Sequence, residues 1–366
     1  MTLGLYIARQ YVWALARVLL IVTGIVMLIE IVENVRRLSG QDEGMRAVFF
    51  LAALKFPAAV DQVMPLVILI SSLTLFLGLA RSSELVIFRA SGVSAIRLVL
   101  IPTLLSIILG LLSIAILNPI VAATTKRYDA VRAEMSGQAQ TFLSISDQGL
   151  WLRQVMDGDT TVIQAARASP DGAVLFDVQF HIFDPSNILK ARVLANRATL
   201  TEAAWVLSDV RRWTITTDAD ALPAPRQVEK AREIATNLTS DQILDSFAKP
   251  ETISIWDLPQ FISQLQHSGF TATRHKQFLQ NTLAIPALFA AMVLIGAGFT
   301  MRHVRFGNVG IMVIFAVLMG FALYFLRNIS GSLGSAGEIP IIIAAWAPPV
   351  AAMLLVIGLL LHLEDG

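Results

Sequence analysis

Apolar residues run almost unbroken over residues 11–31, 98–123, 278–301, 306–326 and 339–361, and a further run at 63–80 closes a longer helical segment, 47–80. Each run is long enough, or nearly so, to cross about 30 Å of hydrocarbon as a helix. Pro57 and Pro65 predict kinks in the second segment, whose Lys55 and Asp61 lie in its first part, near an interface. Between the third and fourth runs the character changes. From about residue 133 to 257 the chain is polar, rich in Thr and Val and punctuated by Asp-Gly, Gly-Asp and Asp-Pro pairs. Strand-like stretches fall at 150–155, 160–164, 174–183, 192–200, 205–207 and 213–216, with turn signals between them. In 174–183, Phe176, Val178, Phe180 and Ile182 alternate with Asp177, Gln179, His181 and Phe183, which predicts one apolar and one mostly polar face. Two helices follow, at 240–247 and 258–266. The expected fold is an α-helical membrane protein with six transmembrane helices in a 3+3 order and an inserted all-β, sandwich or jelly-roll-like domain. The expected division is 1–127 for the first three spans, 128–257 for the β-domain and 258–366 for a connecting helix and the last three spans.

Composition supports this class. Of 366 residues, 55% are hydrophobic and 15% charged, and mean hydropathy is +0.66, against about 25% charged in soluble domains. The net charge of +1 hides an asymmetry: residues 129–273 carry 18 acidic and 12 basic side chains, the rest 9 and 16. That distribution argues against a nucleic-acid partner. The absence of cysteine removes disulfides, Cys-ligated zinc and thiol catalysis. Arg9 and Arg17 flank an apolar run with no small-residue cleavage site after it, so the first segment is expected to be a retained span. Placing Arg9, Arg17, Arg81, Arg89, Arg97, Arg302 and Arg305 inside leaves Arg36, Arg37, Arg46 and Arg327 outside, offset by Glu33, Asp42, Glu43 and Glu338. The bias sets both termini in the cytoplasm and the β-domain on the opposite side.

Three segments carry candidate function. Residues 81–93 form a short helix between two spans, with Ser82 or Ser83 as cap, Glu84 in the first turn and Gly92 as terminator. Leu85, Val86 and Phe88 give it apolar surface, so it either docks into a groove on a cytoplasmic partner or merely connects two spans. At the other end of the first span, Arg36 and Arg37 are adjacent guanidiniums suited to phosphate, or else ordinary interfacial anchors. Glu30 and Glu33 beside them would repel a phosphate unless paired with nearby Arg. The fifth span carries Phe315, Phe321, Tyr324 and Phe325, either packing residues or the wall of an apolar cavity. Gly296 and Gly298 suit close helix packing.

The segment Ser-Glu-Leu-Val-Ile-Phe-Arg-Ala-Ser-Gly at 83–92 resembles the coupling helix of the permeases of lipopolysaccharide-export ABC transporters. Asn118-Pro119-Ile-Val at the end of the third span, Gly149-Leu-Trp-Leu-Arg153 opening the β-domain and Met301-Arg-His-Val-Arg-Phe-Gly307 in a short turn extend the resemblance over nearly the whole chain. Of the two paralogous types, the pattern is more similar to the LptG than to the LptF type. The resemblance implies a permease subunit, in the inner membrane of a Gram-negative cell, that extracts lipopolysaccharide and passes it to a periplasmic bridge. Ser83, Glu84, Leu85, Phe88 and Arg89 would then be the ATPase-coupling residues. Arg36 and Arg37 would meet lipid phosphate, and Phe321, Tyr324 and Phe325 would line the lipid cavity between two paralogous permeases, bounded by the first and fifth spans of each. The implied partners are an LptF-type permease, a dimeric LptB-type ATPase, a single-span LptC-type bridge protein, lipopolysaccharide and membrane lipid.

No phosphate-loop motif, His-Glu-x-x-His or Gly-x-Ser-x-Gly occurs, and His181, His267, His275, His303 and His362 are scattered. No catalytic residue, metal or cofactor is expected. An ion-coupled secondary transporter would need intramembrane ionisable groups, and the last four spans are expected to hold none. A periplasmic scaffold or sensor would explain the β-domain but give the short helix no task. A membrane enzyme of lipid metabolism lacks an acid–base pair.

Overall fold

A computed structural model describes every residue except 1, 39–44, 137–142, 147–148, 157–158, 170–171, 187, 202, 215–226, 237–248, 302–308 and 366. The expected helix at 240–247 and the turn at 302–307 lie outside the described residues, as do the side chains of Arg37 and Arg89. The chain divides into one unit of residues 1–128, 254–256 and 273–366 and another of 129–253 and 257–272. The expected boundary at 257/258 falls inside the second unit.

The first unit is helical. It contains α1 (Thr2–Leu38), α2 (Met45–Arg81), α3 (Glu84–Ala90), α4 (Ala95–Leu112), a π-helical turn (Ser113–Leu117) and the start of α5 (Asn118–Ser136). After the second unit come α7 (Thr273–Leu283), α8 (Ile285–Thr300), α9 (Val309–Ala336) and α10 (Ile341–Asp365). Among the described residues, five helical segments are long and apolar enough to cross a bilayer: 3–36, 45–81, 96–133, 310–336 and 341–362. The α7–α8 pair, bent by 46°, makes a sixth if counted as one span. The bend follows from Pro286, which sits in the first turn of α8 where its missing N–H costs nothing. Pro57 and Pro65 do not end α2, which runs through both for 37 residues.

In α8 every residue from Leu288 to Gly298 is buried, the pattern of a helix surrounded by others. Its neighbours are α2, α4, α9 and α10. Small residues allow that closeness. A Cβ on Gly296 would strike the Ser72 hydroxyl of α2, and one on Gly298 would lie 2.8 Å from Val356 Cγ1 of α10. A Cβ on Gly110 of α4 would lie 2.6 Å from Pro286 Cα. Gly296 and Gly298 therefore have the packing role expected of them.

Arg327 corrects the expectation of spans free of ionisable groups. It lies not in an outer loop but within α9, which continues to Ala336. Its Nη2 donates to the Asn281 carbonyl at 3.1 Å, and it attracts Asp61 of α2. Asp61 Oδ1 in turn accepts from Ser113 Oγ at 3.0 Å, at the first residue of the π-helical turn.

Among the described residues, the second unit is built on seven antiparallel strands: β1 (Leu143–Ser146), β2 (Gly149–Met156), β3 (Asp159–Ala168), β4 (Val174–Phe183), β5 (Leu189–Leu200), β6 (Ala204–Thr214) and β7 (Gln227–Ala235). Each pairs with its neighbours in sequence, giving one sheet in the order β1 to β7. The crossovers of a Greek key are not among the described pairings. The sheet curls nonetheless, because buried Gln154 of β2 donates to the Ala235 carbonyl of β7 at 3.3 Å and accepts from Thr236 at 2.7 Å. Leu150, Leu152, Ile163, Phe180, Trp205 and Leu207 fill its core. The amphipathic α6 (Leu258–His267) buries Leu258, Ile262 and Leu265, and the Ser268 carbonyl after it accepts from the Ala168 amide of β3 at 2.9 Å.

One strand departs from simple alternation. Val178 and Phe180 are buried as expected, but so is Leu175, while Phe176 turns out between Arg167 and Arg197, whose guanidinium carbons lie 5.8 and 5.3 Å from its ring centre. The cause is Asp177, with φ 53°, left without a partner in the described ladders of both neighbouring strands. The register is the same on both sides of it, Val178 pairing with Ala165 and Ala195 and Phe176 with Arg167 and Arg197, so the left-handed residue turns the strand in place and reverses its faces on either side. Asp209 of β6, with φ 56°, does the same between Leu207 and Val210.

Two outcomes follow. Gly296→Val is expected to cost about 1–3 kcal/mol by overpacking, read as a lowered unfolding midpoint in detergent, while Gly24→Ala, with no atom within 4 Å of its Cβ position, should change little. Burial, then the charge of Arg192 on the paired β5 residue, hold the His181 imidazole below its ordinary value. Its contribution is therefore present above the unfolded value of 6.5 and lost as pH falls through the lower folded value. Unfolding of the sheet unit followed against pH should show less acid sensitivity in His181→Gln.

Candidate functional site

The turn that starts α3 is tight. Ser82 still bonds back to α2, its amide to the Gly78 carbonyl at 3.0 Å and its hydroxyl to the same oxygen at 3.1 Å. Ser83 adopts φ 61°, a left-handed conformation that costs a non-glycine residue of order 1 kcal/mol. Its carbonyl accepts from the amides of Val86 and Ile87 at 3.2 and 3.3 Å, so Ser83 is the residue that opens the helix. At the far end Gly92 has φ 83°, and the Val93 amide returns to the Phe88 carbonyl at 3.0 Å. That six-to-one bond with a left-handed glycine is the Schellman arrangement, and Phe88 and Val93 both pack on the core beneath it.

The helix is thus braced at both ends, and its faces are assigned by burial. Leu85 is 6% exposed and belongs to the core of the unit, while Val86 and Ile87 are 64% and 63% exposed. Of the expected coupling residues, Leu85 faces inward and Phe88 is half-buried. The outward apolar pair is Val86 and Ile87, and Ile87 was not singled out from the sequence. Periodicity over seven residues does not say which face meets the bundle.

Glu84 is half-buried, and its Oε2 accepts from the Tyr6 hydroxyl of α1 at 2.9 Å. Tyr6 accepts in turn from Gln10 Nε2 at 2.6 Å. No sequence signal links residues 78 positions apart. These three side chains line a cleft of about 470 Å3 together with Arg9, Trp13, Ala14 and Arg17 of α1, Thr74, Leu75 and Gly78 of α2, and Ser82.

At the other end of α1 the acids are engaged by cations. Arg36 Nη2 lies 3.2 Å from Glu33 Oε2, with side-chain exposures of 78% and 30%. Lys55 of α2 lies 3.2 Å from Glu30 Oε1, with exposures of 37% and 13%. Glu30 and Glu33 are therefore each neutralised locally, and Lys55, which drew no attention as a site residue, belongs to this charged group.

The aromatic candidates separate by face. Phe321 and Phe325 of α9 are exposed on a stripe with Ile314 and Leu318, whereas Tyr324 packs against the core. Along α1, Leu20, Ile21, Ile25, Leu28 and Ile29 are likewise exposed. An apolar groove of about 760 Å3 runs between Leu19, Leu20, Thr23, Gly24 and Met27 of α1 and Ala53 and Phe56 of α2. Among the described residues no group of His, Cys, Asp or Glu is placed to hold a metal.

The family described as "Lipopolysaccharide export system permease LptF/LptG" matches residues 5–362 of the chain. The lipopolysaccharide export system permease protein LptG of Haemophilus influenzae is 26% identical over 368 aligned positions, covering 100% of this chain and 99% of that protein. LptG of Escherichia coli K12 is 27% identical over 317 positions, covering 84% of each.

Lys55→Ala is expected to cost about 1–3 kcal/mol, because it strips the cation from a carboxylate that is largely buried. Glu30→Gln should cost less, since it removes the charge together with the need for a partner. Unfolding midpoints of the two variants in the same detergent check the order.

Proposed function

Because the chain belongs to the LptF/LptG family of lipopolysaccharide export permeases, we propose that it is the LptG-type permease subunit of the inner-membrane exporter. In this reading it draws lipopolysaccharide from the membrane and hands it to the β-unit on the periplasmic side, using ATP hydrolysis in an LptB-type partner. An LptF-type permease completes the lipid cavity, and an LptC-type bridge protein receives the lipid. Both termini are cytoplasmic, and the curled sheet has the place of the family's jelly roll. Phe321 and Phe325, with the exposed face of α1, give the cavity a wall that tolerates acyl chains. Arg36 and Arg37 offer guanidiniums to lipid phosphate at its outer end.

The observation that carries the reading is α3. It is a seven-residue helix anchored at both ends, with a carboxylate in its first turn and an outward Val86–Ile87 pair. A linker between spans has no need of a strained Ser83, a left-handed Gly92 and two exposed β-branched residues. A ball seated in a partner's socket needs a fixed shape and an apolar surface. Arg89 would add a cation beside it.

Glu84→Ala is expected to leave insertion and folding intact, weaken association with the ATPase about tenfold, roughly 1.4 kcal/mol, and abolish glycolipid transport. Tyr6→Phe keeps the carboxylate and removes only the internal hydrogen bond, so it should keep association within about twofold, the effect of a neutral bond at a half-buried site. Co-purification and ATPase activity of the assembled exporter read both. Equal loss in the two variants would assign Glu84 to internal bracing, and no loss in either would make α3 a connector.

A further inference from the structure

The cleft between α1, α2 and the start of α3 has a chemistry that export of lipid at the opposite end of α1 does not use. Arg9, Trp13 and Arg17 lie four residues apart in turn and so share one face of α1 with Tyr6 and Gln10. The adjacent face fixes that orientation. Ile7, Tyr11, Ala14 and Leu15 are buried in the helical core, so α1 does not rotate its arginines away from the cleft. The opposite wall is Thr74, Leu75 and Gly78 of α2, with Ser82 and Glu84 at the rim.

Two guanidiniums against the one carboxylate of Glu84 leave the lining with a charge of +1. That carboxylate already accepts from Tyr6. Arg17 spends its Nε–H on the Trp13 carbonyl at 3.3 Å, and neither arginine forms an ion pair with a described carboxylate. Arg17 also lies about 12 Å further along the helix than Arg9, inside the apolar run. A guanidinium at that depth is costly without a counter-charge or a path to polar surroundings. The cleft supplies the space for one: about 470 Å3, with the exposed indole of Trp13 beside it. Indoles of this kind sit at headgroup level, and guanidiniums take phosphate by paired, charge-assisted hydrogen bonds.

We propose that this cleft binds the phosphodiester headgroup of an anionic membrane lipid, with Arg9 and Arg17 as its cationic ligands. The source is a bilayer lipid rather than a soluble phosphate, because the cleft lies between two membrane-spanning helices and Leu75 and Ala14 give its floor an apolar lining for the glycerol end. Occupancy is relayed to α3 through Gln10, Tyr6 and Glu84. That relay rests on the coupling reading of α3; the binding itself does not.

The test uses the purified full-length chain without its partners, in nanodiscs of phosphatidylcholine with or without phosphatidylglycerol, and counts retained lipid by native mass spectrometry. The wild type should retain phosphatidylglycerol in preference to phosphatidylcholine. Each arginine removed should weaken retention roughly fivefold and Arg9→Gln/Arg17→Gln about 25-fold, whereas Arg46→Gln, at the other end of the membrane unit, should not. Arg9→Gln alone, at an exposed position near the start of α1, carries the test if the double variant does not fold. No preference in the wild type, or unchanged retention in Arg9→Gln, overturns the proposal and leaves two snorkelling arginines. Full competition by soluble glycerophosphate would overturn the lipid assignment in favour of a free phosphate-ester site. Loss of ATPase association in Glu84→Ala has no bearing on this readout, so the two readings fail separately.

Discussion

The membrane unit depends on α8 being packed on every side. Lipid tails are as apolar as leucine, so no hydrophobic force drives one such helix against another once both are in the bilayer. What remains is close contact, and contact requires the absence of side chains at the crossing points. Gly296 against Ser72, Gly298 against Val356 and Gly110 against Pro286 remove those obstacles in three directions. With α8 in place, α2 is held along its buried C-terminal half from Met64 to Leu79, and α2 in turn positions α3 through the tight turn at Ser82 and Ser83. The geometry of the candidate coupling helix is therefore inherited from glycines outside it, two of them more than 200 positions away.

The bilayer made much of this legible in the sequence, because spans need long apolar runs and little else. It also explains the failures. Arg327 reads as a loop residue by charge, yet the Asn281 carbonyl and Asp61 compensate it inside α9. The partners lie 46 and 266 positions away, and no local pattern announces them. In the sheet, alternation gave Val178 and Phe180 correctly and misplaced Phe176, because a single left-handed Asp177 reverses the faces. Strand β7, Gln-Val-Glu-Lys-Ala-Arg-Glu-Ile-Ala, carries four charges and no aromatic residue; its pairing with β6 outweighs its poor intrinsic preference. At the candidate site, the capping and terminating residues of α3 were readable because they are local chemistry. The inward turn of Leu85 and the Tyr6–Glu84 bond were not, because both are tertiary.

Exposure has a different meaning in such a chain. The apolar stripes on α1 and α9 would mark binding surfaces on a soluble protein, but in a bilayer they are what a helix facing lipid should look like. They fit a lipid cavity without requiring one. Polar groups discriminate better. Asp61, Ser113, Asn281 and Arg327 are mutually engaged across α2, the π-helical turn, α7 and α9, which is the pattern of bracing.

The same distinction sorts the charges on α1. Glu30 and Lys55 are largely sheltered and join two helices, so exchanging either partner for a ligand would strand a charge, and their pairing holds α1 to α2. Glu33 and Arg36 sit on one helix turn with the guanidinium mostly in solvent, where an ion pair contributes little. The two acids at this end thus have unequal parts: Glu30 joins two helices through Lys55, and Glu33 pairs with Arg36 along its own helix.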